Sequence, residues 1–417
     1  MKTLIKNFTS KLDKFFFPFY NNKDIQFLFK NLESGEPPGK DVAMFVGGCV
    51  RNFLQSKKIS DIDIATIFTP DELKKKLNNT KFKIIETGLE HGSVTIVYDN
   101  KKFELTTLRK DVSTDGRHAE IKIIDDWRED SKRRDFTINA IYLNKKGKIF
   151  DPQNGVNDLK NNIVKFIGDP QTRIEEDFLR IIRFLRFTIQ YNSQVETTTV
   201  KAIKLKLNGI KNLSKERILS ELLKILKLEN FIGIINNYEI LEIFRIVFPE
   251  FKNINRLKNF RLISNHLKNS NLLLLTIFLV DLRDNHEYFC HKYKVPNKIR
   301  ENLNLIGSKF KELKTNKDFF NKRLKENLYY IGIENLKILY CINLLDKKKI
   351  TKNDIIFLRD IHKITVPKFP FDGKFLLKKG IQEGKKIGVI LKQAEKIWLQ
   401  NNFNLSSEEF ENVIKKN

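Results

Sequence analysis

The chain has 417 residues, 41% apolar and 31% charged, enough to bury a sizeable core and too many for one small domain. Lys and Arg number 77 against 51 Asp and Glu, a formal charge of +26 that points to a polyanionic partner, nucleic acid first. Cys49, Cys290 and Cys341, the three cysteines, form no C-x-x-C pair, so neither a disulfide framework nor a thiolate zinc site is suggested and a cytoplasmic, reducing setting fits. The longest apolar run, residues 272–280, contains Thr276 and ends at Asp281. It is far shorter than the ~18 residues that span a bilayer and reads as a buried helix, with no membrane partner.

In chain order, residues 1–19 mix Lys2, Lys6, Lys11, Asp13 and Lys14 with apolar residues. They lack the continuous apolar stretch and small-residue cleavage site of a secretory signal, and leave a basic organellar presequence open. Residues 22–34 have a helical pattern that Ser34-Gly35-Glu36-Pro37-Pro38-Gly39 stops. Residues 42–46 form a strand-like run, Gly47-Gly48 a turn, and residues 49–54 a short helix. Further strands are predicted at 62–66, 82–86, 93–98, 102–107 and 121–124, several with β-branched alternation. Beyond Pro170, apolar positions recur three and four apart in 172–187, 215–228 and most later segments, so the remainder reads as helical. No fixed-period repeat is present. His286 and His291 stand about 140° apart around a helix and read as core or surface histidines rather than joint metal ligands.

Three features carry chemistry. Asp61-Ile62-Asp63 places two carboxylates at i and i+2, on one face of a strand. They repel unless a cation intervenes, and hard oxygen donors suit Mg²⁺; two such ions about 4 Å apart activate a hydroxyl and neutralise a triphosphate. The plain alternative is a solvated surface strand. Gly47-Gly48 lets backbone N–H groups approach phosphate oxygens, the following helix N-terminus adds its dipole, and Arg51 adds a charged fork. Neither a P-loop nor a dinucleotide fingerprint is present. Glu104, on a strand that can pair beside 62–66, is the candidate third carboxylate.

Phe45-Val46-Gly47-Gly48-Cys49-Val50-Arg51-Asn52 followed by Asp61-Ile62-Asp63-Ile64-Ala65-Thr66 resembles the signature of the class II tRNA nucleotidyltransferase (CCA-adding enzyme) and bacterial poly(A) polymerase family. Arg133-Arg134-Asp135-Phe136-Thr137-Ile138-Asn139-Ala140 is similar to its ribose-binding motif, and Asp151-Pro152 through Gly155 to Asp158 to its hinge. Glu176-Asp177, Arg180, Arg183 and Arg186-Phe187 resemble its base-reading motif; Glu216-Arg217, Glu221-Leu222 and Lys224 resemble the helical motif that follows. Asn52 departs from the family's usual Asp.

The resemblance implies an α+β chain. A polymerase-β-like mixed sheet with helices would form a catalytic head (41–165) after an N-terminal helical extension (1–40). An all-α base-reading neck (166–230) and a tRNA-binding body and tail (231–417) would follow. It also implies that Asp61, Asp63 and Glu104 are catalytic, with Asp61 and Asp63 the metal ligands. Gly47, Gly48, Arg51, Arg134, Asp135, Asn139, Asp177, Arg180, Arg183 and Arg186 would bind nucleotide.

On a helix, Asp177 and Arg180 lie one turn apart and can offer an acceptor and a donor fork to a base edge. Cytosine and adenine both present an amine beside an accepting ring nitrogen, whereas guanine and uracil reverse that polarity. The bland alternative is an i,i+3 ion pair. Residues 87–95 resemble the CCA-adding type, and residues 109–120 the flexible loop with which full CCA enzymes switch to the terminal A. The expected partners are tRNA, CTP and ATP. Poly(A) addition, A-only addition and a catalytically silent RNA-binding protein are the alternatives.

Overall fold

A computed structural model describes residues 18–89, 92–114, 119–267, 270–382 and 384–416. The presequence reading of the N-terminus, Glu90-His91 and the 115–118 tip of the expected switching loop lie mainly or wholly outside them. Packing divides the chain into two compact units, Met1–Pro249 and Glu250–Asn417.

The strands of the first unit are β1 (Ala43–Val46), β2 (Ile62–Thr66), β3 (Lys83–Ile85), β4 (Ser93–Tyr98), β5 (Lys101–Thr107), β6 (Arg109–Thr114), β7 (Ala119–Ile123), β8 (Tyr142–Leu143) and β9 (Ile149–Phe150). Seven of them form one mixed sheet in the order β3-β4-β5-β2-β1-β8-β9. The β2–β5 pair is parallel, in a register that sets Asp63 opposite Glu104. Every residue of β1 is buried; Met44 and Val46 pack with Ala65, Leu108 and Tyr142, as a strand covered on both sides requires.

In the segment expected to be a flexible loop, the described flanks pair as an antiparallel ribbon of β6 and β7 with a register shift between Asp111 and Ser113. With Val112 the one apolar residue in Arg109–Thr114, hydrophobic periodicity does not register β6.

The helices of this unit are α1 (Lys23–Leu32), α2 (Gly48–Leu54), α3 (Pro70–Leu77), α4 (Trp127–Lys132), α5 (Gly155–Lys160), α6 (Pro170–Glu176), α7 (Leu179–Tyr191), α8 (Thr197–Lys206), α9 (Lys215–Leu226) and α10 (Tyr238–Val247). Local chemistry sets their ends. Thr69 and Glu72 form a capping box with Pro70 in the first turn of α3, and Ser214 caps α9. Asn52 donates its amide to the Lys58 carbonyl at 3.0 Å, tying down the loop before Asp61; an Asp there would lack that donor.

An aromatic stack fastens α7 to the sheet end. Phe136 lies 4.8 Å from Phe166 and 5.5 Å from Phe187, and Phe166 stacks on Phe184 at 5.6 Å. The Phe136–Phe166 bridge and the Thr137 N–H to Lys165 carbonyl bond add backbone pairing.

The second unit is helical in its described residues: α11 (Leu257–Ile263), α12 (Asn271–Leu279), α13 (Asn285–Lys292), α14 (Asn297–Thr315), α15 (Leu324–Leu345), α16 (Lys352–Asp360), α17 (Gly373–Lys378), α18 (Lys385–Gln400) and α19 (Ser407–Lys415). The apolar run at 272–280 is the buried α12, and no described helix is long and apolar enough to cross a membrane. Buried His286 packs against Gly307.

The hinge-like segment is built on a close approach. Asp151 accepts the Gly155 and Val156 N–H groups at 2.8 and 2.9 Å, and Thr137 donates to Asp158 at 2.6 Å. A Cβ on Gly155 would lie 2.1 Å from the Thr137 carbonyl oxygen, so only glycine fits. Gly155→Ala is expected to destabilise the chain by about 1–3 kcal/mol, read from denaturant unfolding; an unchanged midpoint would contradict this packing.

Candidate active site

The turn that ends β1 needs glycine. Gly47 has φ +73°, and a Cβ built there would sit 3.4 Å from the Asp63 carboxylate. A side chain would be strained in this backbone and would crowd the carboxylate. Asp61 and Asp63 leave β2 beside this turn, with Ser60 donating to Asp61 at 2.9 Å. Burial raises the Asp63 carboxyl; Arg51 and Arg134 lower it, Asp61 raises it, and the net direction is upward. Partial desolvation and the charges of Asp63 and Asp61 likewise raise Glu104. Burial comes first in both shifts and the neighbouring carboxylates add to it, so the ionised pair is under-stabilised. A divalent cation among hard oxygen donors fits that deficit.

These carboxylates open onto a cavity of about 660 Å³ whose lining carries eight Arg or Lys and four Asp side chains. Gly47, Gly48, Arg51, Asp61, Asp63, Arg134, Asp135, Asn139, Asp177, Arg180, Arg183 and Arg186 all line it. Glu104 does not; it stands in register with Asp63 on the neighbouring strand. Arg109, Arg133, Phe187 and Lys224 complete the wall.

Each cation is held. The Arg51 guanidinium donates to Asn139 and, at 3.2 Å, to the Tyr191 hydroxyl, and lies 4.9 Å from the centre of the Phe187 ring. Arg134 donates to Asp130 and to Tyr142, at 3.1 and 3.0 Å, and Arg133 donates to the other Asp130 oxygen at 2.8 Å. Arg183 donates to Asp135 at 2.7 Å, and Asn139 donates to the same carboxylate at 2.6 Å. Burial would raise Asp135, but Arg183 and Asn139 hold it well below the usual carboxylate range. Arg186 pairs with buried Glu221 at 2.7 Å and covers Phe187 at 4.0 Å. Such fixed donors need little reorganisation when an anion arrives.

The base-reading pair differs from the continuous helix expected at 172–187. Asp177 is extended (φ −156°) at the break between α6 and α7. Its carboxylate accepts the Leu179 N–H at 3.1 Å and so starts the new helix. Asp177 pairs with Arg217 at 2.8 Å and Arg180 with Glu176 at 2.5 Å, not with each other. Arg217 and Glu221, both on α9, thus buttress the cavity wall.

Asp130, Tyr142 and Tyr191 escaped sequence reasoning. Asp130 lies three and four residues before Arg133 and Arg134, a helical spacing that signals ion pairing. The tyrosines carry no such signal, because only the fold brings them near. Buried Cys49 has its thiol raised to about 12, by burial first, and is no nucleophile. Elsewhere Asp284, His286 and Glu287 come within 4.8 Å of one another, but Lys311 already pairs with Asp284 at 2.5 Å.

A mixed sheet that carries an aspartate pair beside a glycine turn and faces an arginine-lined cavity defines a nucleotidyltransferase of the two-carboxylate kind. Comparison with known proteins narrows the class. Residues 43–165 match the family described as Poly A polymerase head domain, and residues 193–255 the one described as "Probable RNA and SrmB- binding site of polymerase A". The mitochondrial CCA tRNA nucleotidyltransferase 1 of Mus musculus is 32% identical over 396 residues, spanning 89% of this chain and 86% of that relative. The CCA-adding enzyme of Staphylococcus haemolyticus is 42% identical over 190 residues, 45% of this chain and 46% of that relative. The fold is shared with the Bacillus stearothermophilus CCA-adding enzyme solved in complex with CTP, at TM-score 0.71 and 21% identity over 93% of this chain and 95% of that one. The chain belongs to the class II family of CCA-adding tRNA nucleotidyltransferases and poly(A) polymerases.

Asp130 sets a pH dependence. Burial alone would raise its carboxyl, but Arg134 and Arg133 lower it to about 2. Because the folded value lies below the ordinary one, this contribution is present above about pH 4 and is lost as pH falls towards 2. It is worth about 2 kcal/mol. Asp130→Asn should lower stability at pH 7, with the gap to wild type narrowing between pH 5 and 2 in denaturant titrations; a constant gap would contradict the pairing.

Proposed function

We propose that the chain adds CCA to the 3′ end of tRNA without a nucleic-acid template, using CTP and ATP and releasing pyrophosphate. The observation that supports this reading is that Asp61 and Asp63 line the same cavity as Asp177 and Arg180. The names of the relatives, and a Thermotoga maritima CCA-adding enzyme solved in complex with tRNA, support it (TM-score 0.64, 20% identity, covering 95% of this chain and 96% of that one).

The tRNA 3′-hydroxyl attacks the α-phosphorus. A new P–O3′ bond forms, the bond to the pyrophosphate oxygen breaks, and the hydroxyl proton leaves to a nearby base or solvent. Gly47, Gly48, Arg51 and Arg134 hold the triphosphate, while Asp135 and Asn139 face the ribose, where a carboxylate favours a 2′-OH. Arg183 and Arg186 continue the nucleotide-contacting face.

The family works with divalent metal ions. Asp61 and Asp63 would hold them here, supported by Glu104, and Mg²⁺ is the ion that such oxygen donors suit; once bound it supplies charge neutralisation and hydroxyl activation. Asp177 has given two of its roughly four acceptor positions to Arg217 and Leu179, so it can still accept from the exocyclic amine of C or A. Arg180 donates to the adjacent ring nitrogen.

The division into an N-terminal extension (1–40), head (41–165), base-reading neck (166–230) and tRNA-binding body and tail (231–417) belongs to this proposal. Lys-rich helices would track the phosphate backbone with salt-sensitive affinity. Three buried cysteines without a disulfide support a reducing compartment such as the cytoplasm.

Sequencing the products made on tRNAs lacking CCA, ending in C, and ending in CC separates full addition from A-only and poly(A) addition. Completion to CCA in each case is expected, and a homopolymer tail or no pyrophosphate would refute the reading. Asp63→Ala should slow addition by roughly 10³-fold or more, as loss of charge neutralisation at the phosphate implies, with tRNA binding largely kept.

Base choice has its own test. Replacing both Asp177 and Arg180 with Ala should shrink the preference for CTP and ATP over UTP and GTP by roughly 5- to 150-fold, the worth of one bidentate edge contact. Unchanged ratios of kcat/KM would remove the pair from base selection.

A further inference from the structure

A second cavity, of about 570 Å³, lies in the helical unit where the chain leaves α14 and turns towards α15 and α16. Its size falls in the ~300–1,000 Å³ range of small-ligand sites. The floor is aromatic: Tyr340 meets the Phe320 ring edge-on at 4.9 Å and lies 4.6 Å from Phe357. Tyr340 is only 8% exposed, and its hydroxyl donates to Asp354 at 3.2 Å. Asp354 is fixed in turn by the Thr351 cap and by the Lys347 ammonium at 2.8 Å. The one carboxylate of the wall is thus already neutralised and the ring beneath it cannot swing.

The rim has a different character. Asn321, Asn343 and Asn353 open onto the cavity, and among the described residues their carboxamides have no protein hydrogen-bond partner. Each offers a donor and an acceptor, the combination that the edge of a nucleobase requires. Lys317 shares this rim with no carboxylate within ion-pair distance among the described residues, which leaves its ammonium for a phosphate. An apolar ligand would strand the half-buried Asn343 amide and leave the exposed Asn321 and Asn353 unused, and a small anion without a ring would leave the aromatic floor unused. Unstacked RNA bases, by contrast, are recognised by aromatic stacking together with edge hydrogen bonds.

We propose that this cavity receives one unstacked base of the tRNA substrate, with the adjoining phosphate at Lys317. The proposal rests on the tRNA reading above and gives the helical unit a discrete contact in addition to diffuse charge.

Phe357→Leu keeps the apolar bulk without the aromatic face, and Asn343→Ala removes one rim amide. Both are compared with wild type for binding of a tRNA transcript lacking CCA, by filter binding at fixed salt, and for CCA addition at saturating tRNA. Phe357→Leu should raise Kd by roughly 5- to 150-fold, the range that follows from losing one base–aromatic stack, with kcat at saturating tRNA unchanged. Asn343→Ala should raise Kd in the same direction without changing the melting temperature, and it decides the matter if Phe357→Leu melts early. Wild-type Kd in Asn343→Ala and in folded Phe357→Leu, with CCA addition intact, would overturn the pocket and leave the tRNA reading standing. A wild-type protein that adds no nucleotide would overturn both.

Discussion

Asp61 and Asp63 leave one face of a single strand, and Glu104 joins them from the strand paired in parallel alongside. That repulsion is the constraint to which the rest of the first unit responds. Arg51 and Arg134 both favour the ionised Asp63, yet burial and the neighbouring carboxylate outweigh them and its carboxyl is raised. The fold therefore holds partly buried, mutually repelling carboxylates next to a cavity whose other walls are strongly positive. A divalent cation held by Asp61 and Asp63 would supply charge neutralisation on the acidic side, and the arginine-lined walls would suit a triphosphate.

The positive wall is fixed by pairing. Arg183 is set by Asp135, Arg186 by Glu221, Arg180 by Glu176 and Arg134 by Asp130. In each pair the carboxylate orients the guanidinium, and Arg180 is fixed further by the Arg173 and Arg133 carbonyls. The aromatic stack of Phe136, Phe166, Phe184 and Phe187 then binds the helix that carries these arginines to the sheet that carries the aspartates. The spacing between Asp177 and Arg180 and the Asp61 and Asp63 pair is thereby held by packed aromatic rings.

Much of this was legible in the linear chain, for physical reasons. The i, i+2 spacing of Asp61 and Asp63 forces one face on any strand, and a glycine pair between an apolar run and a helix admits few readings. The Arg180, Arg183 and Arg186 spacing likewise fixes a helical stripe, and all three line the cavity. What stayed hidden depends on tertiary contact. Tyr191 reaches Arg51 across 140 positions, and nothing in its neighbourhood marks it. Asp177 looks mid-helical by periodicity, but its carboxylate competes for the Leu179 N–H and breaks the helix there. Of the β6–β7 ribbon only the 121–124 end was marked by its pattern, because β6 lacks the apolar alternation by which strands are recognised.

The central claim of the proposed function is that Asp61 and Asp63 hold divalent cations beside the nucleotide cavity. Electron paramagnetic resonance of Mn²⁺ titrated into the full chain, with and without CTP, tests it directly. Tight binding that CTP strengthens and that disappears in Asp61→Asn and Asp63→Asn is the expected result; the same number of bound ions in wild type and both variants would contradict it.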